Sequence, residues 1–302
     1  MQAVQPGQSL LGHRLLRVIG QGSSGTVFLA EHDASRAVVA LKVVTLPPGA
    51  SGGLAGRQFL QAANAAMRLR HRNIVEVLSA GLQHNLAWLT MEPVPGTDLV
   101  RYTRAPRLLP EAAVLRIAAR LAQALSHAHR QGVVHRDLKP ANVRVNWADD
   151  AVKLLDLGLA RSGGASASDS GMQTATQTGT LIGTPLYMAP EQLAGAPPSA
   201  ASDFYALGVL LFELLTGRLP HEPTASMGAL LQQVAQAPAP ALHTLRPGLP
   251  PALGACLAQL LAKAPGSRPT DGEALSSVLL AQAESLQHVL SQRVQTAGAK
   301  SR

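Results

Sequence analysis

The chain has 302 residues, 46% of them hydrophobic and 15% charged, and a formal net charge of +8. This length and composition indicate a globular protein of one or two domains with a sizeable core. The single cysteine, Cys256, excludes an internal disulfide framework and fits a reducing compartment.

No part of the sequence predicts membrane insertion or export. The longest apolar stretch, residues 205–215, is interrupted by Gly208 and Glu213 and is too short to span a bilayer. The N-terminal residues lack the basic and apolar regions of a signal peptide. We therefore expect a cytoplasmic protein without a transmembrane segment.

The positive charge is compatible with acidic peptides, nucleic acid or a membrane surface as partners. The arginines are spread along the chain, with one small cluster at residues 68–72. Aromatic residues do not interleave with this cluster, as binding of single-stranded nucleic acid would require. We interpret the cluster as a solvated helix face, with an acidic docking site as the alternative, and expect no nucleic-acid binding.

The first part of the chain predicts mainly strands. Residues 10–45 form strand segments around a Gly-rich turn at 20–25, and residues 37–44 are an apolar run broken only by Lys42. A connection rich in Pro, Gly and Ser at 46–56 precedes a predicted helix at 57–70 and predicted strands at 74–77 and 86–91.

After residue 96 the pattern becomes helical. The remaining predicted elements are a helix from Glu111 to just before Gly132, short strands at 143–145 and 152–155, a loop at 162–179 and a buried helix at 202–216. A capping box at 270–273 predicts the start of the last helix, and the residues after about 285 are typical of a frayed polar tail.

Three features of the sequence indicate chemistry. The first is the run Gly20-Gln21-Gly22-Ser23-Ser24-Gly25-Thr26-Val27, in which glycines let backbone N–H groups approach phosphates closely. A simple hairpin with a Gly-rich turn would have the same pattern. A dinucleotide-binding fold would require a helix after the third glycine, whereas β-type residues follow here.

The second feature is Lys42, the charged residue within an apolar strand. An ammonium group on a buried strand requires an anion nearby. The alternative is a lysine at a strand edge whose side chain extends to water.

The third feature is the run His135-Arg136-Asp137-Leu138-Lys139-Pro140-Ala141-Asn142, followed by Asp156-Leu157-Gly158. Phosphoryl transfer requires a carboxylate near the attacking hydroxyl, oxygen ligands for Mg²⁺ and cations near the phosphates. Asp137 can orient the hydroxyl, and Lys139 can neutralise charge on the moving phosphoryl group. Asn142 and Asp156 can hold the metal.

In these motifs and their order, residues 10–280 resemble the bacterial eukaryotic-like (Hanks-type) Ser/Thr protein kinases. The resemblance implies an α+β, two-lobed protein kinase fold, with a small β-rich N-lobe carrying one helix and a larger, mainly helical C-lobe. The implied kinase domain covers 10–281, with the N-lobe at 10–91, the hinge at 92–96 and the C-lobe at 97–281. A polar, basic tail would follow at 282–302.

The resemblance also implies a site for ATP and for Mg²⁺, with Mn²⁺ as an alternative. The implied catalytic residues are Asp137, Lys139 and Lys42, and the implied metal ligands are Asn142 and Asp156. The implied ATP-binding residues are Gly20, Gly22, Gly25, Val27, Ala40, Lys42, Met91, Glu92, Val94 and Asp98.

Further along the chain, residues 183–191 resemble the family's peptide-positioning loop, whose Glu191 would form an ion pair with Arg268. Thr176 and Thr178 resemble the phosphorylation sites of bacterial relatives. Their phosphates could engage Arg136.

The sequence departs from the family on the small-lobe helix. The family's acidic partner for Lys42 would fall at Ala62, and no Asp or Glu occurs between Asp33 and Glu76. Arg144 occupies a position under the adenine that is usually apolar, so its guanidinium group needs water or an anion.

Two classes of function therefore remain. One is a non-specific Ser/Thr protein kinase, a phosphotransferase regulated by activation-loop phosphorylation and helped by a homodimer contact or an activating partner at the small lobe. The other is a pseudokinase, an ATP-binding scaffold that acts through protein interaction. Because the catalytic and metal-binding residues named above are all present, we favour the active enzyme.

Overall fold

A computed structural model describes residues 7–22, 25–46, 53–157, 184–223 and 226–300, with side chains described as far as residue 288. These residues form a small lobe built around one sheet and a larger lobe built mostly from helices. Within the described ranges, no helix is both long and apolar enough to cross a bilayer.

The small lobe is a six-stranded antiparallel sheet in the order β1-β2-β3-β4-β6-β5. Its strands are β1 (Ser9–Leu10), β2 (His13–Gly22), β3 (Gly25–His32), β4 (Val38–Thr45), β5 (Val77–Gln83) and β6 (Leu86–Met91). Helix α1 (Leu54–Met67) buries Phe59 and Ala63 against one face of this sheet.

The position of Lys42 follows from the alternation of β4. Ala40 packs in the cluster beneath α1, whereas Leu41 and Val43 pack on the opposite face of the sheet. Because side chains alternate along a strand, Lys42 shares the α1 face with Ala40. Lys42 is 1% exposed, so the predicted buried lysine is confirmed and the strand-edge alternative is wrong.

Two predictions for the small lobe need correction. The helix expected at 57–70 begins at Leu54 and ends at Met67, because the chain turns after the helix to bury Leu69. The strand expected at 74–77 is wrong, since β5 begins at Val77. The backbone N–H of Val75 instead donates to the Leu154 carbonyl in the large lobe at 2.9 Å.

The large lobe contains a three-stranded sheet and most of the helices. Its strands are β7 (Thr97–Asp98), β8 (Val143–Asn146) and β9 (Ala151–Leu154). Its helices are α2 (Glu111–Arg130), α3 (Pro190–Leu193), α4 (Ala200–Thr216), α5 (Met227–Gln236), α6 (Leu242–Leu245), α7 (Pro251–Leu260) and α8 (Gly272–Lys300). Helix α4 is buried along nearly its whole length, which confirms the predicted central helix.

The last helix corrects two expectations. Asp271 rather than Thr270 caps it, because the N–H of Glu273 donates to Asp271 Oδ1 at 2.8 Å. The residues after about 285, expected to be frayed, are instead helical as far as Lys300. Ala283, within the polar tail expected at 282–302, is 1% exposed. The segment is rich in Ala, Gln and Leu, which favour helix, and contains no proline.

Candidate active site

A cleft of about 390 Å³ opens between the two lobes. It is lined by most residues that the sequence analysis assigns to a nucleotide and metal site, namely Gly20, Gly22, Gly25, Val27, Ala40, Met91, Glu92, Val94, Asp98, Lys139, Asn142 and Asp156. Residues that the sequence analysis did not assign to the site also line the cleft, namely Ile19, Gln21, Val75, Ala141 and Leu155.

The Gly-rich run forms the hairpin between β2 and β3, with Gly22 opposite Gly25. Gly25 has a φ of +115°, and a Cβ atom there would lie 2.3 Å from the Val43 carbonyl oxygen. Only glycine fits this position without moving the backbone of β4. Gly20, Gly22 and Gly25 of the hairpin line the cleft, and Ser23 and Ser24 at its tip fall outside the described residues.

Beneath the hairpin, Lys42 Nζ lies 2.8 Å from Asp156 Oδ1. The contact is an ion pair that lacks hydrogen-bond geometry. Lys42 Nζ has no hydrogen-bond acceptor among the described residues. Ala62 in α1 packs against the same cluster as Ala40 and supplies no carboxylate. Asp156 is thus the anion that balances Lys42.

The carboxylate of Asp137 is held through one of its two oxygens. Oδ2 accepts a hydrogen bond from Asn142 Nδ2 at 3.0 Å and lies 2.8 Å from Lys139 Nζ. The same Asn142 amide also donates to the Asp137 backbone carbonyl at 2.7 Å. Oδ1 is buried and has no partner within the described part of the chain, so the described donors leave one acceptor atom of this carboxylate unused.

The loop that carries Asp137 is anchored from beneath by helix α4. The carboxylate of Asp203, which is 2% exposed, accepts hydrogen bonds from the backbone N–H groups of His135 and Arg136 at 2.8 and 2.9 Å. Arg136 has a φ of +70°, a conformation that a non-glycine residue keeps only when its surroundings impose it. Asp203 therefore stabilises the strained turn immediately before Asp137.

The donor set at Asn142 and Asp156 fits a magnesium ion, which prefers carboxylate and amide oxygens. The Asn142 amide nitrogen points to Asp137, which leaves its oxygen available. One carboxylate oxygen of Asp156 pairs with Lys42, and the Asp156 side chain is 24% exposed at the cleft. Asn142 and Asp156 are also held next to each other, because the N–H of Leu155 donates to the Asn142 carbonyl at 2.8 Å.

A network that the sequence analysis did not anticipate braces the hinge. Lys153 Nζ on β9 lies 2.5 Å from Glu92 Oε1, and that oxygen also accepts the N–H of Glu76 at 2.9 Å. Lys153 Nζ donates further to the Ile74 carbonyl at 3.3 Å. Strand β9 of the large lobe is therefore tied to the end of the small-lobe sheet through the first hinge residue.

The floor of the cleft contains Arg144, which lies opposite Asp98 in the pairing of β7 with β8. One Arg144 Nη donates to the Gly96 carbonyl, at the end of the hinge. Its Nε is buried and has no acceptor among the described residues. The expectation that the Arg144 head group needs a partner is thus met for one nitrogen only.

The predicted ion pair between Glu191 and Arg268 is confirmed, with both carboxylate oxygens accepting from the guanidinium at 2.6 and 2.8 Å. The Arg268 guanidinium also lies 5.0 Å from the centre of the Tyr205 ring. This pair is remote from the cleft lining and holds the helices together. Thr176, Thr178 and Gly158 lie outside the described residues.

A larger cavity of about 610 Å³ occurs in the large lobe, lined by residues of α5, α6 and α7. Its lining is mostly apolar and includes neither Asp nor Glu. Because phosphoryl transfer needs carboxylates, the smaller cleft between the lobes is the candidate active site.

This chain is similar in sequence and fold to known proteins. A family model described as "Protein kinase domain" matches residues 13–280. The serine/threonine-protein kinase pkn3 of Myxococcus xanthus is 37% identical over 275 residues, which are 89% of this chain and 49% of that protein. The serine/threonine-protein kinase PknD of Mycobacterium tuberculosis is 37% identical over 265 residues, which are 87% of this chain and 38% of that protein.

The chain thus spans about half the length of the first relative and less of the second. Among solved structures, the crystal structure of the Mycobacterium tuberculosis PknI kinase domain has a TM-score of 0.71 and 29% sequence identity to this chain. The match covers 93% of this chain and 100% of the PknI chain.

Proposed function

The chain belongs to the protein kinase domain family, in its bacterial Hanks-type Ser/Thr branch, and from this premise we propose that it transfers the γ-phosphoryl group of ATP to Ser or Thr hydroxyls of proteins. The observation that carries the proposal is Asp137, whose Oδ2 is held by Asn142 and Lys139 while Oδ1 is unpartnered. A substrate hydroxyl that donates to the Asp137 carboxylate, whose side chain is 21% exposed, is oriented for attack, and the carboxylate can accept its proton.

The cations around the cleft would neutralise the phosphates of the nucleotide. Lys42 is the buried cation beneath the Gly-rich hairpin, and Lys139 lies beside the carboxylate that receives the hydroxyl. Lys139 is therefore placed to balance charge that develops on the transferred group. Backbone N–H groups of the hairpin can contact the phosphates because glycines leave the approach open.

Asn142 and Asp156 would hold Mg²⁺, or Mn²⁺ as an alternative, and the ion would neutralise charge on the phosphates. Met91, Glu92 and Val94 border the part of the cleft next to the hinge and would contact the base, and Asp98 would contact the ribose. We also infer that the enzyme acts in the cytoplasm and is regulated by phosphorylation of its activation loop. A homodimer contact or an activating partner at the small lobe would complete the organisation of α1.

The second candidate function is an ATP-binding scaffold without catalysis, which is favoured by one observation, the missing acid at Ala62. The retained geometry around Asp137 has no use in such a scaffold. The names of the related proteins, which are serine/threonine-protein kinases, also support the catalytic proposal.

The decisive experiment incubates the purified chain with labelled ATP, Mg²⁺ and a generic protein substrate, and identifies the phosphorylated residues by mass spectrometry. The proposal expects phosphate on Ser or Thr. Tight ATP binding without any transfer to the substrate or to the chain itself would support the scaffold instead.

A further inference from the structure

The large lobe carries a group of exposed arginines beside the candidate active site, here called the arginine rim. It consists of Arg101, Arg104, Arg107 and Arg218. The two segments that carry them are in contact, because Arg104 Nη1 donates to the Gly217 carbonyl at 3.2 Å. The rim is thus formed by two adjoining segments, residues 101–107 and the residues that follow α4.

A short chain of side chains links the rim to the catalytic carboxylate. Arg104 Nη1 lies 2.8 Å from Glu213 Oε1, and Tyr187 donates its hydroxyl to Glu213 Oε2 at 2.5 Å. Tyr187 and Asp137 in turn line the same small pocket. The Glu213 and Tyr187 side chains therefore connect the rim to the pocket that Asp137 lines.

The acidic residues near the rim leave most of its charge unbalanced. Glu213 is 3% exposed and is already used by Arg104 and Tyr187. Glu111 pairs with Arg246, and Asp98 caps the turn that follows it by accepting the Val100 N–H at 3.1 Å.

Glu222 is the remaining acid in the neighbouring sequence, and it is exposed. By contrast, the side chains of Arg101, Arg107 and Arg218 are exposed and form no hydrogen bond or ion pair with the described residues. Arg101, Arg107 and Arg218 therefore carry positive charges that no ion pair within the described residues neutralises.

We propose that the arginine rim binds an anionic segment of the protein substrate, so that the preferred acceptor is a Ser or Thr flanked on one side by several anionic residues. The inference rests on the proposed function and names its substrate class. Guanidinium groups bind carboxylates and phosphates with paired hydrogen bonds, so the anionic residues are Asp and Glu or already phosphorylated side chains. A basic flanking segment is repelled at the same surface.

The test compares peptides that contain one Thr and differ only in three neighbouring residues, which are Ala, Glu, phosphoserine or Arg. Each series is made with these residues before the Thr and after it. We expect kcat/KM for the Glu peptide on one flank to exceed that for the Ala peptide by about tenfold, mainly through KM, with the Arg peptide below both. The phosphoserine peptide distinguishes a preference for phosphate from one for carboxylate.

The matched variants are Arg101→Gln/Arg107→Gln/Arg218→Gln in the rim and Arg14→Gln/Arg17→Gln/Arg36→Gln on the small-lobe sheet. Both sets remove the same charge from exposed arginines. The rim variant is expected to reduce the Glu-to-Ala ratio towards one, and the sheet variant is expected to keep it. High ionic strength should reduce the ratio in the unmodified protein, because salt screens exposed charges.

Equal kcat/KM values for the Glu, Ala and Arg peptides, or a ratio that the rim variant leaves unchanged, would overturn the inference. Binding of the same peptides, measured by fluorescence anisotropy, does not depend on transfer. Selective binding of Glu peptides without phosphorylation of any peptide would therefore refute the proposed function and retain the rim. Phosphorylation of all the peptides without selective binding would support the proposed function and refute the role of the rim.

Discussion

Lys42 of the small lobe and Asp156 of the large lobe form an ion pair at the candidate active site, with 2.8 Å between Nζ and Oδ1. Asp156 is also one of the two residues proposed to hold Mg²⁺. The lysine and the metal would therefore share one carboxylate, because Ala62 on α1 supplies no acid to pair with Lys42.

We predict that Ala62→Glu increases the rate of phosphoryl transfer. A carboxylate on α1 would pair with Lys42, release Asp156 and hold α1 against the sheet. An increase of up to about tenfold corresponds to ~1.4 kcal/mol of better transition-state positioning. The measurement is the initial rate at saturating Mg-ATP, with both proteins matched for loop phosphorylation.

Ala62→Gln is the control for this substitution, since it adds the same volume without charge. If Ala62→Glu is no faster than the unmodified protein, other contacts already organise the site. If Ala62→Gln is equally fast, packing rather than charge explains the gain.

Replacement of Asp137 by Asn should remove transfer and preserve nucleotide binding. The amide cannot accept the hydroxyl proton, and the loss expected for a general base is about 10²–10⁴-fold. Single-turnover transfer and ATP affinity are measured on the same preparation. Glu222→Gln, an exposed acid, is the matched surface control. Residual activity close to that of the unmodified protein would show that Asp137 isn't the base.

A further prediction concerns Thr176 and Thr178, which we propose as phosphorylation sites. Arg136 is exposed, and its guanidinium has no partner among the described residues, so it is available to a phosphate from the loop. We expect mass spectrometry of the active protein to find phosphate on Thr176 or Thr178, and we expect the double change to Ala to lower activity. Active protein that carries no phosphate at either threonine would contradict this prediction.

The large lobe should become less stable as the pH decreases, because of the buried His221. Burial and then the neighbouring Lys263 charge lower the pKa of His221 to about 4, below its ordinary value of 6.5. Since the folded pKa is depressed, the stabilisation is complete above pH 6.5 and is lost as the pH falls towards 4. The loss is on the order of 2–3 kcal/mol over that window.

Urea unfolding at several pH values measures this effect. His221→Gln can still accept the hydrogen bond that Lys263 Nζ gives to His221 Nε2 at 3.2 Å, but it does not titrate. Its unfolding free energy should therefore depend less on pH than that of the unmodified protein. His243→Gln, at an exposed position, should leave the pH dependence unchanged. A full pH dependence in His221→Gln would assign the effect to another group.

Local motifs predicted most of the candidate site. The spacing within residues 135–142 is short, so the chemistry of Asp137, Lys139 and Asn142 could be inferred from neighbours along the chain. The pairing of Lys42 with Asp156 could also be inferred from the sequence, since a buried ammonium group requires an anion and α1 has none.

Contacts between distant residues could not be predicted in the same way. Glu92 and Lys153 are 61 residues apart, and nothing near either residue indicates the other. The strand expected at 74–77 was wrong for a related reason, because the backbone of residues 74 and 75 pairs with β9 rather than with β6. Apolar alternation shows that a segment is extended and half-buried, but it does not show which strand it will pair with.

Arg144 bears on the design of compounds that compete for the cleft. It lines the cleft, and its buried Nε has no acceptor among the described residues. A heterocycle that carries a carboxylate directed at Arg144 would gain a charge-assisted hydrogen bond here. In a kinase with an apolar floor the same carboxylate would be buried without a partner, so this one side chain provides a basis for inhibitor selectivity.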